Sequence, residues 1–117
     1  MQSLSHNERA ALERIDGDRM LAQVQAWAGI NSGTDNLKGL NTTASLLADA
    51  FGSLHGHVDL IEPDPVDRVL ADGKICPVEH GRHMVLTVRP EAPLQLLFTG
   101  HMERAGADGN PRMVIVI

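Results

Sequence analysis

The chain has 117 residues, 43% of them apolar, and a formal net charge of −5 from 10 basic and 15 acidic side chains, which suits one globular domain or a large piece of one. No lysine or arginine cluster interrupts the acidic balance, so the electrostatic footprint of a nucleic-acid binder is missing. The single cysteine, Cys76, rules out an internal disulfide; with no basic-plus-apolar leader and no apolar run near the ~20 residues of a membrane span, the expected location is the cytoplasm.

Ser5 followed by Glu8 is a capping-box pattern, and Arg9 to Ile15 is rich in helix formers, which predicts a first helix. Asp16-Gly17-Asp18 weakens or bends it, after which Leu21, Val24, Trp27 and Ala28 recur at helical spacing and predict one buried face with Trp27 as a core anchor. Gly29 to Asn36 is a loop of turn-forming residues. Leu40, Thr43, Ala44, Leu47, Phe51 and Leu54 then follow an amphipathic helical rhythm, with Gly56 at the position of a left-handed C-terminal cap.

Strands come next. His57 to Glu62 reads as a first strand stopped by Pro63 and Pro65; Val66–Ala71 and Lys74–Val78 flank Asp72-Gly73, a tight hairpin turn. His83 to Arg89 is β-rich and closed by Pro90 and Pro93, and Leu94 to Phe98 is an apolar run that reads as a buried strand carrying His101 to the carboxyl edge of a sheet. Arg104 to Arg112 is coil-like, and Met113 to Ile117 is an apolar, β-prone run, either a late-added strand or an aggregation liability. The predicted fold class is α/β: two N-terminal helices packed on a partial, mixed β-sheet.

Phosphate-binding glycine loops, a Gly-x-Ser-x-Gly elbow, a Cys-x-x-Cys pair and a His-Glu-x-x-His helix are all absent from the sequence, which leaves histidines and carboxylates as chemical candidates. His55 and His57 flank Gly56 at a helix end, where imidazolium complements the helix dipole. Glu79, His80 and His83 form a small cluster with the donor types of a zinc site, in a loop that also suits plain solvation. Cys76 beside Pro77 reads as a small, half-buried hydrophobe. On a strand that continues past Gly100, His101 and Glu103 share a face and Met102 takes the other. A histidine so placed serves as a metal ligand, a general base, or a hydrogen-bonded polar residue at a strand end.

The words Trp27-Ala28-Gly29-Ile30-Asn31-Ser32-Gly33-Thr34, Leu46-Leu47-Ala48-Asp49-Ala50-Phe51 and above all Leu96-Leu97-Phe98-Thr99-Gly100-His101-Met102 resemble the amino-terminal part of the catalytic domain in a family of zinc metallopeptidases and amidohydrolases. Its members include carboxypeptidase G, acetylornithine deacetylase, succinyl-diaminopimelate desuccinylase and aminoacylase. The resemblance implies an incomplete zinc-exopeptidase-like domain over 1–102, with His101 as a zinc ligand and Glu103 at the position of the aspartate that orients it. It implies hydrolysis of amide bonds in small peptides or N-acyl amino acids, by a water activated between two zinc ions. It also implies that the remaining ligands, the glutamate base and the family's dimerisation domain lie beyond this sequence, which leaves an inactive fragment. Residues 103–117 resemble nothing in the family and are read as out-of-frame coding. The other reading is a small non-enzymatic α/β protein that binds a partner, or weakly binds metal through Glu79, His80 and His83.

Overall fold

A computed structural model describes residues 3–33 and 35–102 and, as backbone alone, 112–116. Three helices, α1 (His6–Leu12), α2 (Gly17–Ala28) and α3 (Leu37–Phe51), precede strands β1 (His57–Ile61), β2 (Val66–Val69), β3 (Ile75–Val78), β4 (His83–Thr87), β5 (Leu97–His101) and β6 (Arg112–Val116). The α/β class is as expected. Among the described residues no helix is long and apolar enough to cross a membrane.

The capping box forms: Ser5 Oγ accepts from Glu8 N at 3.3 Å, and Glu8 Oε2 accepts from Ser5 N at 2.6 Å. Asp16-Gly17-Asp18 does more than bend the first helix. Asp16 Oδ1 accepts from Arg19 N at 2.9 Å and starts a separate helix. The expected buried face of α2 is not formed, since Leu21 and Val24 are 57% and 59% exposed. Only its C-terminal turn reaches the core, through a half-buried Trp27. Neither α1 nor α2 buries a residue, so one helix, not two, is packed on the sheet.

That helix is α3. Asn36 caps it by accepting from Gly39 N at 3.1 Å, and its stripe of Leu40, Thr43, Ala44 and Leu47 is buried as the spacing predicts. It lies against β1 and β4, and Ala44 and Leu47 join Met84, Leu86 and Met102 in the core, with Val58, Leu60 and Phe51 packed around them. Burial of a side chain such as Met84 or Leu86 contributes about 1.5–3 kcal/mol. The helix stops at Phe51, so Leu54 lies outside it and is exposed. Gly56 is no left-handed cap either: a Cβ there would sit 2.6 Å from the Thr87 carbonyl oxygen, so close backbone approach to the end of β4 is what demands glycine.

The sheet is mixed, in the order β1-β4-β6-β5, with β4 and β6 parallel and the two outer pairs antiparallel. Arg112–Val116 is thus a strand between β4 and β5. The β2–β3 hairpin forms a sheet of its own, turned through Gly73 at φ 81° and closed by Leu70 N donating to Lys74 O at 2.8 Å.

Candidate functional site

The segment around His101 departs from expectation in two respects. β5 is an outer strand rather than a buried one: Leu97 and Phe98 are 65% and 51% exposed. The reason is lateral, because α3 lies over β1 and β4, at the other side of the sheet. An apolar run reports a strand's preference for burial without reporting its place in the sheet. The second departure concerns direction. β5 runs antiparallel to β6, and β6 parallel to β4, so the carboxyl end of β5 meets the amino ends of β4 and β6. His101 therefore stands at the edge where β1 ends and β4 begins, beside the level of the Ile61–His83 pair.

At that edge the alternation of side chains holds: His101 is exposed and Met102 is buried in the core cluster. Glu103, the expected orienting carboxylate, lies outside the described residues, as do 104–111.

The same edge carries the second candidate. Glu79 and His80 lie in the loop entering β4, and His83 is its first residue. His83 and His101 are two strand spacings apart across β6, about 10 Å between backbones. A catalytic zinc needs a third protein ligand beside such a pair. Among the described residues no three histidine, cysteine, aspartate or glutamate side chains come together to hold a metal, and the Glu79, His80 and His83 trio is not assembled. His80 is half-buried, and its Nε2 is sealed from solvent without a hydrogen-bond partner among the described residues.

A catalytic zinc takes three protein ligands and a water. The described residues offer His101 alone at the end of β5, so they do not fit that centre, and no catalytic step is derived through it.

Of the other histidines, His55 and His57 are not at a helix end, because α3 stops at Phe51 and the dipole fades within its last turn. His57 instead opens β1, with its Nε2 3.0 Å from Asp59 Oδ1 on the exposed face. Cys76 is half-buried in β3, as its composition suggested, with Sγ 3.5 Å from the Pro77 carbonyl oxygen.

One polar relationship has no sequence motif. Arg82, just before β4, donates from Nε to Asn41 Oδ1 on α3 at 3.3 Å, and Glu62 Oε1 lies 3.6 Å from the same nitrogen. No protein-family model, curated protein or solved structure matches the chain.

Proposed function

We propose that the chain is a relative of the zinc amidohydrolases and metallopeptidases whose β5 presents His101 as one metal ligand, without catalytic power of its own. The observation that carries this reading is the end of β5, where Met102 anchors the strand in the core and leaves the adjacent imidazole facing solvent. A ligand needs a fixed backbone and an accessible nitrogen, and this residue pair supplies both. The remaining zinc ligands and the base that activates water would have to come from groups other than the described residues. The substrate class is then a small peptide or N-acyl amino acid, and a lone thiol suits the reducing cytoplasm.

A second reading, a non-enzymatic α/β protein that binds a partner or holds metal weakly through Glu79, His80 and His83, is favoured by one observation: the Nε2 of His80 has no hydrogen-bond partner among the described residues. Buried polar nitrogens ordinarily have partners, and a rearranged loop would give this one a metal.

Zinc titration of the purified chain, of His101→Ala and of His80→Ala combined with His83→Ala separates the two. Loss of binding only in His101→Ala supports the hydrolase relationship. Loss only in the double variant supports the second reading, and zinc binding by none of the three proteins removes both metal roles. Hydrolysis of N-acetyl amino acids by the isolated chain is expected to stay at background.

A further inference from the structure

A shallow groove of about 580 Å³ runs between α3 and the entry to β4, lined by Lys38, Asn41, Thr42, Ser45, Leu46 and Arg82. We infer that it binds a small hydroxylated molecule through a phosphate or carboxylate head.

The cations set the head group. Both interactions of Arg82 among the described residues, with Asn41 and Glu62, use Nε, so its two terminal nitrogens remain to grip an oxyanion as a fork. The Arg82 side chain is only 26% exposed, which holds the fork in one orientation. Lys38, in the first turn of α3, adds a second positive charge and enters no ion pair among the described residues. Because the Asn41 carbonyl oxygen faces Arg82, its amide N–H groups are available to the ligand.

The hydroxyls set the rest. Thr42 Oγ1 donates to Lys38 O at 2.9 Å, and Ser45 Oγ donates to Asn41 O at 3.0 Å. With their protons committed to the helix backbone, both present acceptor lone pairs to the groove, and acceptors call for a ligand with O–H donors. Among the described residues, Glu62 is the carboxylate paired with Arg82; its side chain is 76% exposed and 3.6 Å from Arg82, a weak and easily displaced pair.

The test is a titration of the isotopically labelled chain, followed by amide NMR, with glycerol 3-phosphate, malate and inorganic phosphate as separate probes. Glycerol 3-phosphate or malate is expected to shift the amides of 38–46 and 82. Lys38→Gln should weaken that binding about tenfold, while Glu62→Gln, which removes the competing carboxylate, should tighten it severalfold. Binding of glycerol 3-phosphate alone assigns a phosphate head, and binding of malate alone assigns a carboxylate head. Shifts scattered over the surface, no shifts, or unchanged affinity in both variants overturn the proposal. Inorganic phosphate binding as tightly as glycerol 3-phosphate overturns the role given to Thr42 and Ser45. Glu62→Gln changes an exposed side chain, so its opposite effect separates ligand binding from damage to the fold.

Discussion

His101 and Met102 are adjacent in the chain and opposite in environment: the imidazole stands in solvent, while the thioether is 5% exposed and packed with Ala44, Leu47, Met84 and Leu86. The pair makes the end of β5 a rigid post for an accessible nitrogen, although the strand leading to it is largely uncovered.

That asymmetry predicts unequal costs along one strand. Met102→Ala should destabilise the chain by about 2–5 kcal/mol through the cavity it leaves. Leu97→Ser, on an exposed position of the same strand, should change stability by no more than about 0.5 kcal/mol. Urea denaturation midpoints check both. Equal costs would mean that Met102 does not anchor β5.

Gly56 gives a sharper test of backbone packing. Glycine to alanine in a loop at ordinary φ is often mildly stabilising through the unfolded state. Here the new Cβ would meet Thr87 O at 2.6 Å and Val88 Cγ2 at 2.7 Å, so Gly56→Ala should destabilise by about 1–3 kcal/mol. Gly17→Ala, with nothing within 4 Å of the added carbon, should be neutral or stabilising. Thermal melts should show a lower midpoint for Gly56→Ala and an unchanged or higher one for Gly17→Ala.

Acid should undo local structure before the core. The Ser5 side-chain hydrogen bond, followed by the Ser5 backbone bond, holds the Glu8 carboxyl below its ordinary value of 4.5, and the Lys74 backbone and side chain do the same for Asp72 from 3.8. A folded value lowered in this way contributes stability above the unfolded value and loses it as pH falls through the folded one. The α1 capping box should therefore begin to loosen only as pH falls below the ordinary 4.5 of Glu8, and the β2–β3 turn only below the ordinary 3.8 of Asp72. NMR titration of the Glu8 carboxyl carbon is the check, and Ser5→Ala should return its midpoint toward the ordinary value.

What could be read from the sequence was largely local. Ser5 with Glu8 and Asp72 with Gly73 declare themselves because their hydrogen bonds close within a few residues. The α3 stripe declares itself because one helix face met one sheet. Leu21 and Val24 have the same periodicity without a partner surface, and periodicity carries no information about what lies opposite. The exposure of Leu97 and Phe98 depends on strand order, which the run itself does not encode. Gly56 was misassigned because a close approach and a left-handed cap both demand glycine. At the candidate sites, His101 was legible as a strand-end histidine, whereas the Asn41–Arg82 contact joins residues 41 positions apart with no shared motif.

The central claim, that His101 is the first group to meet zinc, is tested most directly by following the imidazole nitrogens of all six histidines by NMR as zinc is added. The ring of His101 is expected to shift at the lowest zinc concentration, with His80 and His83 unmoved until zinc is in excess. Early shifts at His80 and His83 with His101 unchanged would contradict the account.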